Sequence, residues 1–136
     1  MIQYLDSSYI LGVILNPEDN FPLINSRKIV KYTSRLSQVE VFRNVMKQNP
    51  DLLRNAKDVL LAIEFVEITD QVIDNASAYP QEITLKSSDA IHMATAELLL
   101  DIDDVLVTFD KQMALNALTR TPPLNWLGGI AADERG

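Results

Sequence analysis

The 136-residue sequence has the size of one domain, and its 47% hydrophobic and 23% charged residues are typical of a folded globular protein rather than a disordered one. The absence of cysteine excludes disulfides and thiolate metal sites, and the single histidine argues against His-based zinc sites and Ser-His-Asp catalysis. The formal net charge of −7 argues against a basic nucleic-acid-binding face, unless cations bound in an acidic pocket reverse its local sign. A chain with this charge could also pair with a basic protein.

Strands and helices alternate from the first residues of the chain. An apolar strand over residues 2–5 runs directly into Asp6, and residues 7–15 have the apolar spacing of a helix. Residues 16–26 contain two prolines and predict a loop that could hold a short helical turn. Residues 28–33 alternate apolar and polar side chains, which predicts a second strand.

Capping residues predict where the next four helices begin. Ser37-Gln38-Val39-Glu40 matches the Ser-x-x-Glu capping box, and Asn49-Pro50-Asp51 starts a helix that extends to residue 63. Thr69 precedes a helix that ends before Pro80, and Ser87-Ser88 precede one over residues 89–100. On that last helix the inward-facing residues are expected to be Ile91, Ala94, Thr95 and Leu98.

Two further strands and a last helix complete the alternation. Residues 65–68 form a short strand, and residues 105–109 are a continuous apolar run, typical of a strand that is buried on both faces. Asp110 begins a helix over residues 111–118, and Trp126 docks the C-terminal segment. The pattern predicts a three-layer α/β sandwich with a central parallel sheet of four or five strands and helices on both faces. We expect one domain over residues 1–130 and a frayed tail over residues 131–136.

Four acidic residues stand at element boundaries, and we call them the acidic cluster: Asp6, Glu40, Asp89 and Asp110. Two of them follow strands and two begin predicted helices, so all four can face the carboxyl edge of a parallel sheet. Carboxylates gathered there repel one another unless cations lie between them, and oxygen ligands suit Mg²⁺ or Mn²⁺. Each acid taken alone is more simply a helix cap.

Four segments of the chain resemble, in order, the motifs of PIN-domain ribonucleases of the VapC toxin type. They are YLDSSYIL at residues 4–11, TSRLSQVEVFR at 33–43, SDAIHMATA at 88–96 and VTFD at 107–110. The resemblance places the metal site of that family on the acidic cluster. It further implies magnesium or manganese as the cofactor, RNA as the substrate, a homodimer, and a cognate antitoxin of a type II toxin-antitoxin pair.

Further side chains near the acidic cluster are candidates for supporting roles. Ser7 and Thr108 could hydrogen-bond the metal-binding carboxylates, although local capping is the alternative for both. His92 shares a helix face with Asp89, where a single imidazole is more often a structural hydrogen-bonding group than an acid-base catalyst. Candidates for binding phosphate oxygens, each of which could instead be a solvated surface charge, are Arg35, Arg43, Lys86 and Lys111.

Three other functions are alternatives to a metal-dependent endoribonuclease. A phosphoacceptor receiver domain needs an adjacent acidic pair after the first strand and a late Lys-Pro, and a dehalogenase-type phosphatase needs Asp-x-Asp; neither pattern is present. A non-catalytic PIN-like module that binds RNA or protein stays open as the alternative. The apolar runs are too short to cross a bilayer and the N-terminus lacks the basic flank of a signal peptide, so we expect a cytoplasmic protein with no membrane partner.

Overall fold

The computed structural model describes residues 1–16, 29–120 and 123–127. Within them, five strands alternate with six α-helices. The strands are β1 (Ile2–Leu5), β2 (Val30–Ser34), β3 (Glu64–Val66), β4 (Val105–Val107) and β5 (Trp126–Leu127). The helices are α1 (Ser7–Leu15), α2 (Arg35–Gln48), α3 (Leu53–Leu61), α4 (Asp70–Ser77), α5 (Ser87–Leu99) and α6 (Lys111–Thr119), and a 3-10 turn over Pro50–Leu52 precedes α3.

The strands form one parallel sheet in the order β3-β2-β1-β4-β5. β1 is central, and Tyr4 lies between Tyr32 of β2 and Leu106 of β4. All the helices that connect neighbouring parallel strands must cross from one end of the sheet to the other, so the carboxyl ends of the strands share one edge. The predicted α/β sandwich with a parallel sheet is confirmed.

A separate hydrophobic core covers each face of the sheet. Successive residues of a strand point to opposite faces, so Leu5 packs with Val107 in one core while Tyr4 packs with Leu106 in the other. The first core is filled from α1, α2 and α3, by residues such as Ile10, Val41 and Leu60. The second is filled from α5 and α6, by Met93, Ala96, Met113 and Ala117. The sheet and the helices packed on each of its faces therefore form three layers.

The predicted capping box at Ser37 and Glu40 is wrong. Strand β2 extends to Ser34, and the Ser34 hydroxyl caps α2 by accepting a hydrogen bond of 3.1 Å from the Leu36 N–H. Ser37 is therefore inside the helix, where it is fully buried and its hydroxyl lies 2.6 Å from that of Thr33. Glu40 does not begin the helix but lies in its second turn.

Three smaller predictions are also corrected. Ser87 and Ser88 are the first residues of α5 rather than its caps, and the N-cap is Lys86, which makes no side-chain cap hydrogen bond. Leu98 is 46% exposed, because the continuously buried part of α5 runs from His92 to Ala96 and stops before the last turn. Asn49 likewise makes no side-chain cap, and the 3-10 turn intervenes before α3.

Other boundaries agree with expectation to within a few residues. The Thr69 hydroxyl caps α4 by accepting from the Val72 N–H at 3.3 Å, and Trp126 lies in β5 beside Leu106. The predicted loop over residues 16–26 falls outside the described residues beyond Asn16, as does the predicted frayed tail. None of the helices in the described part of the chain is long and apolar enough to cross a membrane.

Candidate active site

Asp6 lies at the centre of the carboxyl edge, between the ends of β1 and β4. It is 1% exposed, and its backbone N–H donates to Val107 O at 2.9 Å, which continues the pairing of the two strands. The side-chain atom Oδ2 accepts two hydrogen bonds, from the Thr108 hydroxyl at 2.6 Å and from the Ser8 hydroxyl at 2.8 Å. Those hydroxyls are in turn fixed by backbone N–H donors, Asp110 onto Thr108 and Phe109 onto Ser8.

The second carboxylate oxygen of Asp6, Oδ1, is buried and has no hydrogen-bond partner among the described residues. Although Asp6 occupies the N-cap position of α1, its side chain makes no cap hydrogen bond. Burying an unpaired carboxylate oxygen is unfavourable, and a bound cation is one of the few partners that offsets this cost. Asp6 therefore does not act as a helix cap, and its Oδ1 is available to accept a further partner.

Asp110 serves as a helix cap, as its position predicted. Its Oδ1 accepts from the backbone N–H groups of Gln112 at 2.8 Å and Met113 at 3.2 Å, at the start of α6. The cap uses Oδ1, and an ionised carboxylate has further acceptor sites on its second oxygen. Capping and cation binding are therefore compatible for this residue.

Glu40 reaches the same edge from α2 and is held there by His92. The His92 Nε2 atom lies 2.6 Å from Glu40 Oε1, and the Tyr4 hydroxyl lies 2.6 Å from His92 Nδ1. His92 and Tyr4 are fully buried, whereas the Glu40 side chain is 24% exposed. The expected structural hydrogen bond of His92 is thus made to a member of the acidic cluster.

The pKa of Asp89, in the first turn of α5, is shifted by the other members of the acidic cluster. Burial, followed by the negative charges of Asp6 and Asp110, raises the pKa of Asp89 to about 6 from an ordinary value of 3.8. Glu40 adds to the rise, while His92 opposes it. The fold therefore brings the other three members of the acidic cluster close enough to Asp89 to raise its pKa.

The arrangement suits a hard cation that keeps much of its water. Within residues 1–16, 29–120 and 123–127, no three carboxylate or imidazole groups are already gathered as closely as the ligands of a bound ion would be. Mg²⁺ in proteins retains several waters and is commonly held by one or two carboxylates. The unpaired Oδ1 of Asp6 and the excess negative charge around Asp89 fit such an ion.

Comparison with protein families decides the classification of this fold and site. The family model described as PIN domain matches residues 3–117, which is most of the chain and includes every member of the acidic cluster. The chain belongs to the PIN domain family.

This PIN domain is similar in sequence to one ribonuclease and similar in fold to structures of toxin-antitoxin proteins. It is 35% identical over 83 residues to Ribonuclease VapC35 of Mycobacterium tuberculosis, a match that covers 60% of this chain and 61% of that protein. The VapBC2 structure from Rickettsia felis, bound to a DNA fragment from its promoter, has a TM-score of 0.68 at 16% identity and covers 94% of this chain and 98% of that one. A toxin-antitoxin complex from Klebsiella pneumoniae has a TM-score of 0.66 at 20% identity, covering 82% and 90%. These structures share the fold.

The basic candidates of this PIN domain differ in how they are engaged. Arg35 donates to Gln38 and Glu67, each at 3.1 Å, and its guanidinium lies 5.1 Å from the centre of the Phe65 ring. Arg43, Lys86 and Lys111 are exposed. Arg35 would have to exchange its contact with Glu67 to hold a phosphate.

Sequence reasoning missed two residues of the site. The Ser8 hydroxyl donates to Asp6 Oδ2 at 2.8 Å, whereas the sequence analysis selected Ser7. Tyr4 was treated as an ordinary strand residue, although its hydroxyl contacts His92 across 88 residues of sequence. The proximity of Ser8 to Asp6 in the sequence is a signal that could have identified it. The contact of Tyr4 with His92 has no such local signal, because it depends on how α5 packs on the sheet.

Proposed function

We propose that this protein is a metal-dependent endoribonuclease that hydrolyses RNA phosphodiester bonds and acts as the toxin of a toxin-antitoxin pair. The observation that carries the proposal is the buried, unpaired Oδ1 of Asp6 at the carboxyl edge, beside carboxylates that raise the pKa of Asp89. The ribonuclease name of the curated relative supports the same activity. The match spans less than two thirds of that relative, so the activity, substrate and partners of the relative are carried to this chain as proposals.

The proposed cofactor is Mg²⁺ or Mn²⁺, with Asp6, Asp89 and Asp110 as ligands and Glu40 as a further ligand or as the group that orients water. Oxygen-only ligands favour these hard cations over softer metals. When bound, such an ion supplies positive charge that lowers the pKa of water and stabilises the leaving oxygen of a phosphodiester. Mutual repulsion among the carboxylates of the acidic cluster would favour the binding of such a cation.

The remaining residues would position the carboxylates and the RNA. Ser8 and Thr108 keep Oδ2 of Asp6 fixed, which leaves Oδ1 directed away from the hydroxyls. Ser7 stays a candidate for a similar supporting role. The phosphate chain on either side of the scissile bond would contact the basic residues along the rim, for which the candidates are Arg35, Arg43, Lys86 and Lys111.

Partners follow from the same proposal. The neighbouring structures are complexes of a toxin with its antitoxin, so we propose that a cognate antitoxin covers this edge and blocks RNA entry. A homodimer is the proposed assembly, and the cytoplasm, where the RNA substrate is found, is the proposed location.

The decisive experiment incubates purified protein with a mixed RNA substrate in Mg²⁺, in Mn²⁺ and in EDTA. We expect endonucleolytic fragments with either cation and none in EDTA, and an Asp6→Asn variant of unchanged fold should be inactive because it lacks the ligand charge. Sequencing the fragments would give the preferred cleavage site. Full metal-dependent cleavage by the Asp6→Asn protein would contradict the proposal.

A non-catalytic PIN-like module is the second candidate, and the capping role of Asp110 favours it. In such a module the acids would stabilise helix starts without binding metal. It predicts no cleavage under any condition and no stabilisation of the fold by Mn²⁺, whereas an intact metal site stabilises the folded state by mass action.

A further inference from the structure

We propose that Tyr4 and His92 form a buried positioning pair that fixes the orientation of the Glu40 carboxylate at the carboxyl edge of the sheet. A chain of hydrogen bonds leads from the Ser34 N–H to the Tyr4 hydroxyl at 3.2 Å, from that hydroxyl to His92 Nδ1, and from His92 Nε2 to Glu40 Oε1. It begins at the end of β2 and finishes on a carboxylate that is partly exposed. This inference rests on the proposed function, since it assigns the support of a residue in that site.

The positions of the protons follow from the donors and acceptors. An ionised carboxylate can only accept, so His92 Nε2 carries a proton whether the imidazole is neutral or charged. Burial raises the pKa of Tyr4 well above 10, so the phenol keeps its proton while it accepts from Ser34. In the neutral imidazole Nδ1 is then the acceptor, and the Tyr4 O–H donates to it. Every link of the chain has a donor and an acceptor.

The pair connects the supports of three members of the acidic cluster. Tyr4 lies in β1 two residues before Asp6, His92 lies in α5 one turn after Asp89, and Glu40 is on α2. Both rings are 0% exposed and meet edge to face, with centroids 5.9 Å apart and an angle of 65° between their planes. Rings packed in this way cannot change rotamer without disturbing the core, so they form a rigid support.

Glu40 needs such a support because its neighbours repel it. A glutamate on a helix surface has three rotatable bonds, and the negative charge of Asp89, whose pKa Glu40 helps to raise, would favour rotation of an unpaired carboxylate toward solvent. The hydrogen bond from His92 opposes that rotation and holds one oxygen at the edge. Hydrogen-bonding partners of metal-binding groups typically change metal affinity or activity by about 10–100-fold when they are removed.

The first test is spectroscopic and does not depend on activity. The sequence contains one histidine, so a sample labelled with ¹⁵N-histidine has a single pair of ring nitrogens. In the metal-free protein we expect Nε2 to resonate as a protonated nitrogen and to shift in a Glu40→Gln variant, and Tyr4→Phe should shift Nδ1. An unprotonated Nε2, or an Nε2 signal unaffected by Glu40→Gln, would overturn the proposal.

The second test measures the Mn²⁺ concentration that half-stabilises the fold, together with the rate of RNA cleavage. Tyr4→Phe removes one hydroxyl and keeps the ring, and His92→Leu removes both nitrogens. We expect the Mn²⁺ midpoint to rise by about 10–100-fold in both variants. His92→Gln, whose amide can replace the Nε2 donor, should recover most of the loss.

A matched control separates positioning from packing. Thr95→Val removes a buried hydroxyl from the same helix, one that donates to Ile91 O within α5. It should leave the Mn²⁺ midpoint unchanged. An unchanged Mn²⁺ midpoint in Tyr4→Phe would overturn the proposal, even if His92→Leu fails to fold. A wild-type protein that shows this dependence on His92 but cleaves no RNA would support the positioning pair and contradict the proposed function.

Discussion

Two buried carboxylates lie at opposite ends of the same strand pair, and their surroundings differ. Asp104, just before β4, is 9% exposed, and each of its oxygens accepts from a backbone N–H, from Ile2 at 2.7 Å and from Asp101 at 2.9 Å. Asp6, just after β1, has two donors on Oδ2 and, among the residues that the structure describes, none on Oδ1. Both carboxylate oxygens of Asp104 are therefore hydrogen-bonded, and they join the ends of the two strands. Only one oxygen of Asp6 has hydrogen-bond donors among the described residues.

The pKa values at the two ends shift in opposite directions. Hydrogen bonds from the backbone N–H groups of Ile2 and Asp101 lower the pKa of Asp104, so the protein stabilises the ionised form of this carboxyl group. At the other end, burial and then the charges of Asp6 and Asp110 raise the pKa of Asp89. Negative charge is thus stabilised at one end of the sheet and disfavoured at the other, which is the contrast expected between a structural acid and the acids of the proposed site.

The largest expected effect comes from replacing Asp6 and Asp104, one at a time, by asparagine. Asp6→Asn should reduce RNA cleavage by at least about 100-fold while leaving the free energy of unfolding unchanged or higher, because a repelled charge is removed. Asp104→Asn should lower the free energy of unfolding by about 1–3 kcal/mol, because its amide cannot accept both backbone N–H groups. Cleavage by Asp104→Asn, measured below its melting temperature, should stay near that of the wild type. Equal losses of cleavage in both variants would remove the contrast.

The next effect is stabilisation by Mn²⁺. A cation present at 100 times its dissociation constant should raise the free energy of unfolding by about 2.7 kcal/mol, measured by chemical or thermal denaturation. The same increase is expected in Asp104→Asn, because that acid is at the far end of the sheet. Asp6→Asn should show little or none of it, and a full Mn²⁺ response in Asp6→Asn would mean that the ion binds elsewhere.

A smaller loss is expected from Thr108→Val, which keeps the shape of the side chain and removes one hydroxyl. That hydroxyl donates to Asp6 at 2.6 Å and accepts from the Asp110 N–H at 2.9 Å, so its removal loosens two members of the acidic cluster. We expect cleavage to fall by about 10-fold. Thr95→Val is the control, and it should reduce stability without a comparable loss of cleavage.

The sequence predicts the positions of Asp6 and Asp110 better than it predicts the contacts that hold the other acids in place. Asp6 and Asp110 could be located because each follows an apolar strand within a few residues, which is a local signal. Glu40 was selected through a capping box that does not form, and its contact with His92 joins residues 52 apart in the chain. The contacts of Asp104 were not foreseen either, because the one to Ile2 spans 102 residues. Such contacts depend on how elements pack, which periodicity and capping signals do not encode.

The smallest expected effect is on pH dependence, where the two ends should have opposite signs. Because the folded-state pKa of Asp89 is raised from 3.8 to about 6, its protonated form stabilises the fold, and that contribution is lost as pH rises from about 4 to about 6. The lowered pKa of Asp104 contributes stability that is present above about pH 4 and is lost as pH falls below it. The melting temperature of the metal-free wild type, measured from pH 3 to 7, should therefore fall as pH rises from 4 to 6 and also fall as pH drops below 4. In Asp89→Asn the fall between pH 4 and 6 should disappear. In Asp104→Asn the fall below pH 4 should be smaller. If Asp89→Asn leaves the upper window unchanged, the acidic cluster does not repel itself as described, and the strongest physical reason for a cation at this edge is gone.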